Sequence, residues 1–281
     1  MGKFLNQAQV DGFQRDGFVS NLAVLNPTEV AELNARTEAF EAERPQDLSW
    51  AFDIKANLLF DWVYELGRHP LLLDAVEDLI GPDILMTNAT FRIKNPGSHI
   101  DYGWHQDSAR IEVKPAFVIV FVALSPATAQ NGCLRVIPAT HDRVRPFTLT
   151  EGPGQLNRLV ARVVGADPDQ AVDLTLEAGE IAIFHGNAVH GSAANMSDKR
   201  RVAILYDYTP AKARQHVGRG SGQLVRGVDT WGHWGHEPVP EPGLTETNVL
   251  NRRAMLSTYH ENVLMGPRLP GETITFPDRP Y

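Results

Sequence analysis

Cysteine is nearly absent. A single one, Cys133, rules out an intramolecular disulfide framework. Long apolar runs are missing as well. The longest, Ala116 to Leu124, is nine residues, far short of the ~20 that cross a bilayer as a helix. The opening MGKFLNQAQVDGFQRDGF has no apolar core of signal-peptide type. Asn6 stands where a myristoylation signal favours Ser or Thr. Positive charge is the minority sign: 26 Lys and Arg against 34 Asp and Glu leave a net charge of −8. That balance speaks against a nucleic-acid-binding protein. These absences together predict a cytoplasmic protein without nucleic-acid or membrane partners.

What is present suits a folded chain. A hydrophobic content of 43% with 21% charged residues excludes a wholly disordered, collagen-like or coiled-coil protein. The first third reads as helical. Residues 5–20 suggest a short helix with Val10, Phe13 and Phe18 available to pack. A second helix is signalled by Asn26 as N-cap, Pro27 at the first helical position and Glu29 in the first turn. Val30, Leu33, Thr37 and Phe40 then recur at helical spacing. Residues 57–80 suggest one or two more helices, with Pro70 starting the second. From about residue 84 the segments become short, rich in Val, Ile and Phe, and punctuated by Gly, Pro and Asn. Strands are expected at 85–94, 116–124, 133–137, 173–177, 180–185 and 201–208. Phe117 to Leu124 is apolar throughout, so both of its faces should be covered. Residues 209–245 read as a long ordered loop and Ser257 to Leu264 as a last short helix. Helices followed by many short strands predict an α+β fold with a sandwich or barrel-like core. One domain over 1–281 is expected: 1–83 mainly helical, 84–208 the β core, 209–281 a C-terminal loop and cap.

The sharpest local feature is Trp104-His105-Gln106-Asp107. In extended chain, residues two apart point the same way, so His105 and Asp107 can reach one ion together. An imidazole and a carboxylate suit a divalent first-row metal. The best third ligand is His190, which follows the expected strand 180–185 and sits beside Gly191 and Ser192. Two His and one Asp form the facial triad of non-haem Fe(II) oxygenases, with open positions for ligands. Eleven residues after His190, Arg201 opens an apolar strand. Its planar fork, with the Ser192 hydroxyl, can hold the far carboxylate of a dicarboxylate whose other end chelates the metal. The alternative is that Arg201 pairs with a protein carboxylate such as Asp198 or Asp207.

The HQD run, then NGCLRVIPATH (131–141) and GEIAIFHGNAVHGSAANMSDKRR (179–201), resembles the phytanoyl-CoA dioxygenase family. The opening QVDGFQRDGFV and LNPTEVAEL are similar to that family's start, and the resemblance covers residues 7 to about 210. It implies a double-stranded β-helix (jelly-roll or cupin-like) with N-terminal helices packed on it. It also implies Fe(II), 2-oxoglutarate and O2 as metal and cosubstrates, with His105, Asp107 and His190 as iron ligands. Arg201 and Ser192 are then expected on the C5 carboxylate of 2-oxoglutarate. Phe121 falls where the family often has an aromatic near the cosubstrate. Lys94 lies on the strand before the HQD loop, within reach of cosubstrate or substrate. Halogenating relatives lack the metal carboxylate, so Asp107 speaks against halogenation. His141 and His185 are expected to be structural, and Cys133 a buried small hydrophobe.

The implied reaction is hydroxylation of a C–H bond with release of succinate and CO2. Residues 199–226 carry seven Lys or Arg and one acid, Asp207, which favours an anionic small molecule. An amino acid, an aminophosphonate such as 2-aminoethylphosphonate, or a natural-product intermediate fits. Arg214 and Arg226 are the basic candidates for substrate contact, Tyr102 and Trp104 flank His105, and Trp231 belongs to an aromatic loop that could cap the pocket. The bland alternatives are a solvated basic face balanced by Glu237, Glu241 and Glu246, a packed surface loop, and a Trp104 packed under its strand. Two other functions compete: a cupin-like metal enzyme that does not use 2-oxoglutarate, and a non-catalytic ligand-binding relative.

Overall fold

The computed structural model describes residues 2–109, 113–151, 159–216 and 218–265. Its helices are α1 (Gln7–Asp16), α2 (Pro27–Glu43), α3 (Leu48–Ala51), α4 (Asp61–Leu66), α5 (Pro70–Ile80) and α6 (Glu246–Met265). Its strands are β1 (Phe18–Ala23), β2 (Ile84–Lys94), β3 (Tyr102–His105), β4 (Val113–Lys114), β5 (Val118–Ala123), β6 (Leu134–Ile137), β7 (Phe147–Glu151) and β8 (Leu159–Val163). They continue as β9 (Val172–Leu174), β10 (Glu180–His185), β11 (Val189–Ser192), β12 (Arg201–Pro210), β13 (Arg214–Gln215), β14 (Ser221–Arg226) and β15 (Gly235–His236).

Two sheets face each other. One has the order β1-β10-β5-β12-β2-β14-β15, the other β7-β8-β3-β11-β6-β9. The chain passes from β2 to β3, β5 and β6, then from β9 to β10, β11 and β12. It therefore crosses between the sheets repeatedly, which is the winding of a double-stranded β-helix. Within β5 the alternation is strict. Val118, Val120 and Val122 join the core under the helices, while Ile119, Phe121 and Ala123 join the core between the sheets. All six residues of β5 are buried, as a central strand flanked by β10 and β12 requires.

The helical layer is set by local chemistry. Asn26 accepts from the backbone of Thr28 and Glu29 at 2.9 and 3.1 Å, and Glu29 accepts from the Asn26 amide at 2.7 Å. This capping box starts α2, which buries Val30 and Thr37. Pro70 opens α5 as expected, and Leu72, Leu73, Ala75 and Val76 pack against the main sheet. Tyr206 and Tyr208 lean from β12 into this layer, donating to the carbonyls of Val63 (2.9 Å) and Gly67 (2.7 Å). Among the described residues no helix is long and apolar enough to cross a membrane.

Three expectations are corrected. The helix at 5–20 ends at Gly17, whose φ of 85° stops it. Phe18 then begins β1, which pairs with β10 at the edge of the main sheet, so the N-terminal third is not purely helical. The segment 209–245 is not a plain loop: β14 pairs with β2 and carries β structure past residue 208. The last helix runs Glu246–Met265 and is far longer than Ser257 to Leu264.

Candidate active site

His105 ends β3 and His190 lies on β11, and these two residues are direct cross-strand partners. Asp107 opens a short 3-10 turn immediately after β3. One ligand atom from each of His105, Asp107 and His190 lies within 4.8 Å of the others. The Asp107 carboxylate is 3.5 Å from His105 Nε2 and 3.6 Å from His190 Nε2. Each imidazole is oriented by its own chain. His105 Nδ1 donates to the Gly103 carbonyl at 2.7 Å, and His190 Nδ1 donates to the Ala188 carbonyl at 3.0 Å. A carbonyl only accepts, so both Nδ1 atoms carry the proton and both Nε2 lone pairs face Asp107. Burial first, and then the neighbouring His105, push His190 down to about 4. Its neutral, ligating form therefore prevails at neutral pH.

Gln106 turns the other way, as the two-residue period requires. It accepts from the Arg145 amide at 2.7 Å and donates to the carbonyls of Arg143 (2.9 Å) and Asn187. Ser108 bonds the Asn187 side chain and the Gly186 carbonyl. These contacts tie the HQD turn to the segment that leads into His190, so both halves of the triad share one support. His141 and His185 lie outside this cluster. His185 accepts from the Asn187 amide at 3.0 Å.

On the same side of the sandwich sits a buried cationic pair. Arg201 opens β12 opposite Lys94 at the end of β2, with 1% and 0% of their surfaces exposed. Arg201 donates to Ser192 Oγ at 3.1 Å and to the Gly132 carbonyl, and its Nε has no partner. Its guanidinium lies 5.4 Å from the centre of the Phe121 ring. Lys94 donates to Ser192 Oγ at 2.7 Å, to the Ser192 carbonyl at 3.0 Å and to the Ala193 carbonyl. Among the described residues neither cation has a carboxylate partner. Asp207 bonds Asn88 instead, at 3.1 Å. Two buried cations held only by neutral acceptors are costly unless an anion joins them. Burial, and then the adjacent Arg201, lower Lys94 to about 7, which records the same deficit.

The triad and Arg201 face one cavity of about 170 Å³. Tyr102 and Phe121 line it, together with Asp53, Asn88, Arg92 and Asp207, which the sequence did not single out as site residues. The remaining substrate candidates do not line it. Arg226 is held by Asp74 (2.6 Å) and Glu77 (2.9 Å) on α5. Arg214 donates to His233 at 3.0 Å on an exposed edge. Trp231 is exposed, and Trp104 lies beneath the Arg135 guanidinium, 5.3 Å from its ring centre. From the aromatic loop it is Trp234, not Trp231, that turns inward, donating to the Ala213 carbonyl at 2.8 Å. Cys133 is buried, and burial pushes its thiol up to about 11, so it is inert.

The donor set fits an Fe(II) ion, and the two cations fit a dicarboxylate beside it. Fold and site together are of the kind that non-haem Fe(II) oxygenases use: a facial two-His, one-carboxylate cluster inside a double-stranded β-helix. The chain belongs to the phytanoyl-CoA dioxygenase (PhyH) family, whose model matches residues 13–203. It is 29% identical over 169 residues to the peroxisomal phytanoyl-CoA dioxygenase of Rattus norvegicus, covering 57% of this chain and 50% of that one. It is 33% identical over 129 residues to the phytanoyl-CoA dioxygenase domain-containing protein 1 of Danio rerio, covering 44% of each. The chain spans about half the length of the curated relatives it matches. Among solved structures, the apo form of the non-haem monooxygenase ThoJ superposes with a TM-score of 0.81 at 26% identity, covering 91% of this chain and 97% of that one. CytC3 with Fe(II) and alpha-ketoglutarate shares the fold, with a TM-score of 0.63 at 22% identity over 83% and 93% of the two chains.

Proposed function

We propose that this chain hydroxylates a C–H bond of a small polar metabolite, with 2-oxoglutarate converted to succinate and CO2. The observation that carries the reading is the juxtaposition, in one cavity, of a His-Asp-His cluster and a buried arginine that lacks a carboxylate partner among the described residues. In this reading His105, Asp107 and His190 hold the iron, and bound iron supplies the activation of O2. Arg201 and Ser192 hold the C5 carboxylate of 2-oxoglutarate, Lys94 adds its charge, and Phe121 backs the guanidinium. Tyr102 lines the entrance beside the metal. The protein's part is orientation and exclusion of water. The imidazoles are fixed by their own backbone carbonyls, and no side chain is needed as a general base. The expectation of an anionic substrate rested on the basic stretch 199–226; of its seven cations only Arg201 lines the cavity, so the stretch gives that expectation little support.

The test is stoichiometric. Purified protein with Fe(II), 2-oxoglutarate and O2 should form succinate, and the true substrate should couple each succinate to one hydroxylated product. Succinate at the rate of a metal-free control, across a broad metabolite panel, would contradict the reading.

A further inference from the structure

Beside the metal cavity lies a second chamber of about 60 Å³. Asn88, Phe117 and Asp207 line both spaces, so the two adjoin. Its apolar walls are Val113, Phe117 and Trp234. Trp234 is fixed by its indole bond to Ala213 and by Gly220, where any Cβ would lie 2.1 Å from the indole ring. The polar groups come from five parts of the chain: Lys55, the β2 residues Thr87 and Asn88, the β12 residues Asp207 and Thr209, Gln215 on β13 and Ser221 on β14.

The charges in this chamber do not cancel. Lys55 is 2% exposed and already committed: it pairs with Glu237 and donates to the Thr87 carbonyl at 2.8 Å. Ser221 adds a 2.6 Å bond to the same Glu237 oxygen. The pair is thus internally neutral, and Asp207 is left over. Among the described residues its carboxylate is in no ion pair: the Asn88 amide donates to it at 3.1 Å, and Arg92 and Lys55 act on it only through their more distant charges. Thr209 supplies an independent sign of a missing ligand. Its hydroxyl is buried in the chamber wall, in a residue 1% exposed, and has no hydrogen-bond partner among the described residues. Native proteins rarely leave such a group unpaired without a bound partner. The aromatic faces of Phe117 and Trp234 suit a cation as well as a hydrocarbon.

We infer that this inner chamber is the specificity pocket of the enzyme and that it takes an amine or ammonium group of the substrate, held by Asp207 and Thr209 between Phe117 and Trp234. The inference rests on the oxygenase reading, since it takes the target carbon to lie in the adjoining metal cavity. It narrows the substrate to a nitrogen-bearing molecule, which amino acids and aminophosphonates satisfy and simple carboxylic acids do not. Burial, followed by Asp107, pushes the Asp207 carboxyl up to about 7, and a cation beside it favours the ionised form.

The probes are three molecules of one shape: n-butylamine, 1-butanol and butyrate. They are titrated calorimetrically at neutral pH into the full chain without metal, so that iron cannot hold the amine. The amine should bind at least about tenfold more tightly than the alcohol or the acid, as expected of a charge-assisted hydrogen bond. Asp207→Asn should bring amine and alcohol within about threefold of each other, and Thr209→Val should weaken the amine. Equal binding of the three probes, a preference for butyrate, or an amine preference untouched by Asp207→Asn would overturn the inference. If Asp207→Asn does not fold, the ranking on the wild-type chain decides alone. A parallel anaerobic titration of Fe(II) and 2-oxoglutarate separates the two claims. A normal chelate spectrum with no amine preference removes the pocket assignment and spares the oxygenase. No chelate spectrum removes the oxygenase reading, and the assignment of the chamber as its specificity pocket falls with it.

Discussion

Replacing Arg201 by Met keeps most of the packing volume against Phe121 and deletes only the charge and its donors. In the ligand-free protein the guanidinium is 1% exposed, carries an unpartnered Nε and faces no carboxylate among the described residues. Removing such a charge should cost little, because its desolvation is uncompensated. The 2-oxoglutarate complex is a different matter. A hydrogen bond to a charged group contributes about 1.5–3 kcal/mol, and a loss of about 3 kcal/mol corresponds to roughly 150-fold weaker binding. At a ligand concentration near 100 times the wild-type Kd, stabilisation by ligand is about 2.7 kcal/mol. With Kd raised about a hundredfold, the same concentration gives only about 0.4 kcal/mol. The assay is thermal or denaturant unfolding of the metal-loaded, anaerobic protein with and without 2-oxoglutarate. The variant should match the wild type without ligand and lose most of the ligand-induced gain. An undiminished gain would refute the carboxylate role. A variant crippled even without ligand would show that Arg201 is a structural cation.

The remaining predictions are more compact. Lys94, at about 7, is charged below neutrality and loses its proton above it. 2-Oxoglutarate affinity should therefore fall by up to about tenfold per pH unit above pH 7. The unfolded chain keeps that proton to higher pH, so this lysine makes ligand-free stability rise between pH 7 and its ordinary value. Lys94→Met should flatten both trends, which titrations at several pH values would read. Lys55→Met strands the buried Glu237 carboxylate and should cost about 3–5 kcal/mol in urea unfolding. Adding Glu237→Leu should recover much of that loss, and no recovery would contradict the pairing. Tyr208→Phe leaves the Gly67 carbonyl without its 2.7 Å donor and should cost about 1–3 kcal/mol with 2-oxoglutarate affinity unchanged.

The legible parts of this protein are those written locally. The capping box at Asn26 and Glu29, Pro70 at a helix start, and the apolar run of β5 each state their own structure within a few residues. The metal cluster is legible for the same reason. His105 and Asp107 are two residues apart on extended chain, Ser192 follows His190 by two residues, and Arg201 follows Ser192 by nine. Cross-strand pairing then brings these local pieces into one cavity. The inner chamber was not legible because its walls come from distant stretches of chain: Lys55, Thr87 with Asn88, Asp207 with Thr209, and Trp234. They meet only when the segment before α4, β2, β12 and the segment after β14 are side by side. The basic stretch 199–226 misled for the opposite reason. Its charges are adjacent in sequence but diverge in space: Arg201 inward, Arg226 onto the carboxylates of α5, Arg214 onto an edge. β1 was missed because Gly17 ends the preceding helix so abruptly that the apolar spacing of Phe13 and Phe18 reads as one element.

The central claim is that His105, Asp107 and His190 hold one iron to which 2-oxoglutarate binds. Anaerobic addition of Fe(II) and then 2-oxoglutarate to the metal-free protein tests it directly, by the visible charge-transfer band of the chelate. The account predicts one Fe(II) per chain and a band that saturates at one 2-oxoglutarate per iron, with both lost in His190→Ala and in Asp107→Ala. A band of undiminished intensity in either variant, or none in an iron-loaded wild-type protein, would contradict it.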